Sequence, residues 1–309
     1  MLESLSLEDI KKVTTAAAAS VIDLHGSNEK NLIDGAAVLA MRKALSQVQL
    51  TGTVVIGEGQ KDGAPMFAHG ERVGNLKGVE VDIAVDPIDG TSLVAKGKAG
   101  AVSLIAFSPK NTMFNPEDNF YMYKLVTGHE AASKISISKP LVHNLNIIAE
   151  SKSKNLNQLI VNVLRRPRHE KLALELQARG IKVRFFDDGD VTAAVATCLP
   201  DSEADAMIGI GGSPEAVISA AGIIALGGDI QCQIVNKNQI EHFTHNPLDP
   251  LNLPVLTKYE LIHSNNVLLS ITGVSDNELV KGLRLEGTEV ISDTLIIARL
   301  SNGPLVVHI

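Results

Sequence analysis

The chain reads as an α/β protein in two halves, and three observations carry that reading. Strand and helix patterns alternate strictly from Leu159 to Val235, two β-branched runs nearer the N-terminus are bounded by glycines, and capped helical patterns precede both runs. With 309 residues, 45% hydrophobic and 20% charged, there is apolar material for a large core in one or two domains.

Ser6 is placed to cap a first helix reaching about Leu24, with Glu8 and Asp9 in the first turn, where the helix dipole favours acids, and Gly26 closing it. A second helix is expected over 34–48. The β-branched runs 51–56 and 79–85 read as strands that each deliver an acidic residue to their C-terminal end, and 101–107 reads as a third strand. A change of pattern between Leu141 and Leu159 marks the expected boundary, giving halves of 1–150 and 151–309. The second half then runs strand 159–164, helix 168–178, strand 182–186, helix 190–199, strand 204–210, helix 214–226 and strand 229–235. The segment 236–265, polar and turning at Pro247, Pro250 and Pro254, is expected to be a surface loop.

Composition excludes several functions. A formal net charge of -7 gives no general attraction to nucleic acid or anionic membrane, and 3% aromatics without Trp gives no stacking surface for single strands. The longest apolar stretch, 216–226, is interrupted by Ser219 and too short to span a bilayer. Cys198 and Cys232 have no CxxC spacing and are expected as buried thiols in a reducing cytoplasm. The nine histidines show neither HxxxH nor HExxH spacing, and no Gly-x-Ser-x-Gly elbow is present, which removes zinc-protease and common serine-hydrolase readings.

The chemistry concentrates in Asp86-Pro87-Ile88-Asp89-Gly90-Thr91-Ser92, preceded by Gly57-Glu58-Gly59. Asp86 and Asp89 supply hard anionic oxygens suited to Mg²⁺ or Mn²⁺, and Glu58, left unobstructed by its glycines, is a third carboxylate for the same pocket. Pro87 stiffens the turn, Gly90 permits a sharp bend close to a phosphate, and Thr91 and Ser92 offer hydroxyls to a phosphate or an attacking water. Asp62 is four residues from Glu58, within reach to orient a water or share its proton. Asp34 reads equally as a ligand or as an acid satisfying a helix dipole. Asp188-Gly189-Asp190 and Gly209-Ile210-Gly211-Gly212-Ser213-Pro214-Glu215 both sit at strand-to-helix turns, where glycines let backbone N–H groups face an anion. Glu215 is either a metal ligand or a dipole-favoured acid. Arg166 and Arg168 form either a phosphate clamp or a solvated basic turn.

Together these motifs resemble the class II fructose-1,6-bisphosphatases of the GlpX type, within the lithium-sensitive sugar and inositol phosphatase superfamily. The resemblance runs from Lys30-Asn31-Leu32-Ile33-Asp34-Gly35-Ala36-Ala37 through Ala40-Met41-Arg42 to Thr272-Gly273. It implies a layered α/β/α/β/α fold and a metal-dependent phosphomonoesterase acting on a sugar bisphosphate, with Mg²⁺ or Mn²⁺ as cofactor and a homo-oligomeric state. It implies metal carboxylates at Asp34, Glu58, Asp86, Asp89 and Glu215, and catalytic roles for Asp62 and Thr91. Sugar-phosphate contacts are implied at Asp89, Gly90, Thr91, Tyr121, Arg166, Arg168, Asp188, Gly189, Asp190 and Gly212.

The chain departs from the family pattern at Asp89, Gln60, Glu29, Tyr123 and Arg166, where Glu, Glu, Asp, Glu and Lys are usual, and 236–265 is shorter. Asp89 restores the form of the inositol-phosphatase relatives, while Gln60 and Tyr123 are expected to alter charge near the site and so substrate preference. Three readings follow: hydrolysis of fructose 1,6-bisphosphate in gluconeogenesis, action on sedoheptulose 1,7-bisphosphate or an inositol phosphate, or a non-catalytic sugar-phosphate-binding regulator.

Overall fold

Ser6 Oγ accepts a hydrogen bond from the Asp9 amide at 3.2 Å, and α1 (Leu7–Ser20) grows from that cap, burying Ile10, Val13, Thr14, Ala17 and Ala18. The computed structural model describes residues 2–57, 59–61, 64–287 and 289–309. Helix α1 stops at Ser20, short of the expected Leu24, and a separate 3₁₀ turn, Ile22–Leu24, follows. The second helix, α2 (Lys30–Leu45), starts before the expected 34, because Asn28 at φ 64° and the Ser27 Oγ bond to the Glu29 amide form the turn that launches it. Asp34 therefore sits beyond the first turn, which removes the dipole explanation for it.

The chain continues with β1 (Leu50–Ile56), β2 (Gly59–Lys61), β3 (Ala64–Met66), β4 (Arg72–Val73), β5 (Val79–Asp89), α3 (Thr91–Ala95) and β6 (Val102–Pro109). Next come β7 (Tyr121–Thr127), α4 (Leu141–Ser151), β8 (Ile160–Leu164), α5 (Glu170–Gln177), β9 (Lys182–Phe186), α6 (Asp190–Thr197), β10 (Ala206–Gly212), α7 (Ser213–Leu226), β11 (Asp229–Ile234), α8 (Lys237–His245), β12 (Leu256–Thr257) and α9 (Lys258–Leu261). The C-terminal stretch adds β13 (Val267–Gly273), β14 (Arg284–Glu286), β15 (Glu289–Ile291), β16 (Thr294–Leu300) and β17 (Gly303–His308).

These elements make two units, Met1–Asn115 with Ile262–Ile309, and Pro116–Leu261. The break expected near 150 is thus displaced to 115, and the C-terminal segment belongs to the first unit. The reason is strand pairing: β13 pairs antiparallel with β6, whereas β7 pairs with β10 and β11.

In the first unit, seven strands order as β17-β16-β13-β6-β5-β1-β4, with β1 and β5 parallel and the other pairs antiparallel. Helices α1 and α2 bury Ile10, Val13, Ile33 and Met41 in one apolar cluster with Val54, Ile83, Ile105, Phe107, Leu268 and Ile296 from the strands. A buried hydroxyl chain crosses this layer: Thr272 donates to Thr14 at 2.7 Å, with Thr294 2.8 Å from Thr272 and Ser270 3.1 Å from Thr14. Pairing the hydroxyls with one another avoids leaving polar groups unsatisfied in the interior.

In the second unit, six strands order as β12-β11-β7-β10-β8-β9. Strand β8 runs parallel to β9 and β10, and β7 antiparallel to β10 and β11, so the alternating segment builds a mixed sheet. One face carries the apolar cluster of Tyr123, Leu125, Val163 and Ile210 with Leu145 of α4, Leu172 of α5 and Phe243 of α8. Alternation along β7 turns Lys124 to the opposite face, where it meets the start of α6. The expected loop 236–265 contains α8, β12 and α9 instead. Asn236 and Gln239 form a capping box: Asn236 Oδ1 accepts from the Asn238 amide at 2.9 Å, and Gln239 Oε1 accepts from the Asn236 amide at 3.1 Å. No helix among the described residues is long and apolar enough to cross a membrane.

Candidate active site

Strand β5 does not stop at Val85. It runs on through Asp86-Pro87-Ile88-Asp89, with Asp86 opposite Leu104 and Asp89 opposite Val102, so the β5 side carries an extra residue. That irregularity accommodates Pro87, which has no N–H to give to a ladder. Gly90 follows at φ 95°, and a Cβ there would lie 3.3 Å from Ala101 Cα and 3.1 Å from Leu93 Cδ1, so the position admits only glycine without strain. The chain then turns into α3, whose first side chain, Thr91, donates its hydroxyl to Asp34 Oδ1 at 2.7 Å, with Ile88 O as a second acceptor at 3.0 Å. Lys30 Nζ donates to Ser92 Oγ at 2.7 Å, so α2 and the α3 start are clipped together at two points. Asp89 is buried and Asp86 half-buried.

Gly57, just past β1, lies against Phe67, where a Cβ would come 2.1 Å from Phe67 O. Arg42 holds the segment 67–71 by pairing with Glu71 and covering the Phe67 ring at 4.8 Å, and Glu71 in turn accepts from the Ala68 amide at 3.1 Å. Glu58 and Asp62, expected as metal ligand and catalytic acid, lie outside the described residues. Among the described residues, no three His, Cys, Asp or Glu side chains cluster closely enough to form a metal site.

The second unit assembles the other expected residues at one end of its sheet. Arg166 Nη1 donates to Arg165 O at 2.9 Å and Asp187 O at 2.7 Å, and its Nη2 lies 4.0 Å from Asp188 Oδ1. Arg168 donates through Nε and Nη2 to Ile210 O, at 3.1 and 2.7 Å, and its guanidinium lies 5.5 Å from the centre of the Tyr121 ring. These bonds tie both arginines to backbone carbonyls. Gly189 at φ 91° turns the chain so that Asp188 and Asp190 flank the start of α6. Asp190 Oδ2 accepts from Lys124 Nζ at 2.8 Å, a pair almost sealed from solvent. Burial opposes the Lys124 charge, but Asp190 and Glu215 outweigh it and leave the ammonium pKa raised. Burial pushes the Glu215 carboxyl up, with Lys124 opposing.

Gly211 and Gly212 were expected to bare their N–H groups to an anion. They lie at the end of β10, opposite Met122 and Tyr121, and their smallness also serves another end. A Cβ at Gly211 would sit 1.8 Å from Asp190 Oδ2, and one at Gly212 would sit 1.8 Å from Glu215 Oε2. At Gly209 it would meet His169 Nε2 at 2.9 Å. His169, fully buried, accepts from the Ile210 amide at 2.8 Å through Nε2 and bonds Leu164 O at 2.7 Å through Nδ1, so the proton resides on Nδ1. Burial pulls its pKa down to about 4.

Lys124 and His169 were missed from the sequence. A lone lysine inside the apolar run Tyr121-Met122-Tyr123-Lys124-Leu125-Val126 was a signal for a compensated internal charge. His169 carried none. Tyr123, expected to alter charge at the site, is buried on the other face against Phe243, ring centres 5.0 Å apart, and is a packing residue.

Residues 3–304 match the family described as bacterial fructose-1,6-bisphosphatase, glpX-encoded. The chain is 39% identical over 310 aligned positions to fructose-1,6-bisphosphatase 1 class 2 of Escherichia coli strain K12, covering 96% of this chain and 92% of that one. The same figures hold for fructose-1,6-bisphosphatase class 2 of Shigella flexneri. Among solved structures, an inositol monophosphatase from Anabaena (Nostoc) sp. PCC 7120 aligns with 79% of this chain and 96% of its own, at 14% identity and a TM-score of 0.33. On its near full-length match, the chain belongs to the bacterial fructose-1,6-bisphosphatase family of metal-dependent phosphatases.

Proposed function

We propose that this chain hydrolyses the 1-phosphate of fructose 1,6-bisphosphate, giving fructose 6-phosphate and inorganic phosphate in gluconeogenesis, with Mg²⁺ or Mn²⁺ as cofactor. The observation that carries the reading is the gathering of Tyr121, Arg166, Arg168, Asp188 and Asp190 at one end of the second sheet. Two guanidiniums fixed by backbone carbonyls present their remaining N–H groups to the phosphate that is not cleaved. Asp188 and Asp190 accept hydrogen bonds from sugar hydroxyls, and Gly189 gives the backbone room for the ring. Gly212 keeps clear the space that Glu215 occupies.

In the first unit, the Thr91 hydroxyl is oriented by Asp34 and Ile88 O, so its lone pairs are aimed and ready to position the attacking water together with Asp62. Gly90 and Asp89 complete that turn beside the substrate. The carboxylates proposed to hold the metal are Asp34, Glu58, Asp86, Asp89 and Glu215, hard oxygen donors suited to such a cation, although no three of the described ones form a site by themselves. Glu215 Oε2 supports this fit, being buried and without a hydrogen-bond partner among the described residues. When bound, a divalent cation lowers the pKa of a water and offsets phosphoryl charge. Cys198 and Cys232 are both free and buried, which supports a reducing, cytoplasmic setting.

The test is phosphate release from fructose 1,6-bisphosphate, sedoheptulose 1,7-bisphosphate and inositol monophosphate, each with Mg²⁺, with Mn²⁺ and with EDTA. Metal-dependent release fastest from fructose 1,6-bisphosphate supports the proposal. Preference for either other substrate, or binding with no release, refutes it.

A further inference from the structure

Lys124 lies on β7, between β10 and β11, with its side chain 2% exposed. A lysine so placed is costly to bury, and a Lys–Asp pair in an apolar interior gives little net stability over two well-packed apolar side chains. Its surroundings are those of the site. Nζ donates to Asp190 Oδ2 at 2.8 Å, and it lies 3.1 Å from the position a Gly211 Cβ would take, which leaves room for a slender ammonium and none for a planar guanidinium. Glu215 is within its electrostatic reach. The site must admit a multiply anionic sugar phosphate beside two acids.

We infer that Lys124 is a positioning residue of the active site: its ammonium locks the Asp190 carboxylate in one orientation over Gly211 and offsets negative charge that the sugar phosphate has to approach. One Asp190 oxygen is held by Lys124, and the other is left to read a sugar hydroxyl. Lys124 touches no substrate and acts through Asp190. The inference rests on the assignment of Asp190 as a sugar-contacting group in the function proposed above.

The experiment compares wild type, Lys124→Met, Asp190→Asn and the double variant. It measures KM and kcat for fructose 1,6-bisphosphate with Mn²⁺, and the affinity for fructose 6-phosphate by calorimetry in EDTA, which needs no turnover. Loss of one charge-assisted hydrogen bond corresponds to about 10- to 100-fold in affinity. Lys124→Met is expected to raise KM and the fructose 6-phosphate Kd by about that factor, with kcat within about threefold, and the double variant to be no worse than Asp190→Asn. Unchanged KM and Kd in Lys124→Met, or losses that multiply in the double variant, overturn the inference. If Lys124→Met does not fold, the double variant, with both partners of the pair neutral, is compared with Asp190→Asn alone. Equal constants support the inference, and a further tenfold loss overturns it. Wild type that neither releases phosphate from fructose 1,6-bisphosphate nor binds fructose 6-phosphate defeats the functional proposal itself, which separates the two failures.

Discussion

His169 links acid stability to Arg168, proposed above to grip the substrate. The imidazole is fully buried and neutral, with a pKa pulled from 6.5 down to about 4 by burial. In the unfolded chain the same group takes up a proton below about pH 6.5. The unfolded state therefore binds more protons than the folded one across pH 6.5 to 4. The contribution of His169 to stability is whole above pH 6.5 and is lost as the pH falls through about 4. At 1.36 kcal/mol per pKa unit, the loss is about 2 kcal/mol by pH 5 and about 3 kcal/mol by pH 4.

His169→Gln tests this. The glutamine amide does not titrate and can keep one of the two hydrogen bonds, to the Ile210 amide or to Leu164 O. Leaving the other partner unsatisfied costs about 1–3 kcal/mol at pH 7. The variant starts lower and falls less steeply, so its stability profile meets that of wild type near pH 5. Urea unfolding at pH 7, 6, 5 and 4 supplies both profiles. Parallel profiles, with the variant losing as much as wild type between pH 7 and 4, would refute the assignment of a buried neutral imidazole. Because Ile210 O anchors Arg168, KM for the sugar bisphosphate should also rise at pH 7.

Three further outcomes follow from the geometry. Thr91→Val removes the hydroxyl bonded to Asp34 and should lower kcat by about 10²-fold, with KM little changed, while Thr91→Ser retains most activity; steady-state kinetics decides. Gly212→Ala places a Cβ on the position of Glu215 Oε2 and should raise the Mn²⁺ concentration needed for half-maximal rate by about tenfold or more, read from a metal titration. Arg168→Lys gives up the paired bonds to Ile210 O and the Tyr121 contact, and should raise KM about tenfold at constant kcat; an unchanged KM would remove Arg168 from substrate binding.

Much of the candidate site was legible because its motifs are local. Asp86, Asp89, Gly90 and Thr91 fall within one turn, and the strand-to-helix junctions at Asp188 and Gly212 lie where the alternation places them. What escaped reading is partly local and partly a matter of long-range pairing. Helix α4 has Pro140 at its N-cap and no side-chain cap, and α8 hides before three prolines although its Asn–Gln box was present. Strand β7 was obscured by Lys124 in its centre. The return of β13, β16 and β17 to the first sheet has no local signal, because β13 pairs with β6 across the whole intervening second unit.

The run Gly209-Ile210-Gly211-Gly212 shows that one motif can have a second physical reason. Glycines at a strand-to-helix turn suggest a backbone open to phosphate. Here their absent side chains are occupied by neighbours: His169 against Gly209, Asp190 against Gly211 and Glu215 against Gly212. Each of those three groups is buried at least in part and would clash with any larger residue, so the glycines specify where an imidazole and two carboxylates stand. Ile210, the one residue of the run with a side chain, points it into the apolar cluster while its amide bonds His169 and its carbonyl holds Arg168. A single strand end thus orders the Arg168 guanidinium and the Asp190 and Glu215 carboxylates. Enlarging any one of its glycines should disturb substrate or metal affinity before it disturbs the fold.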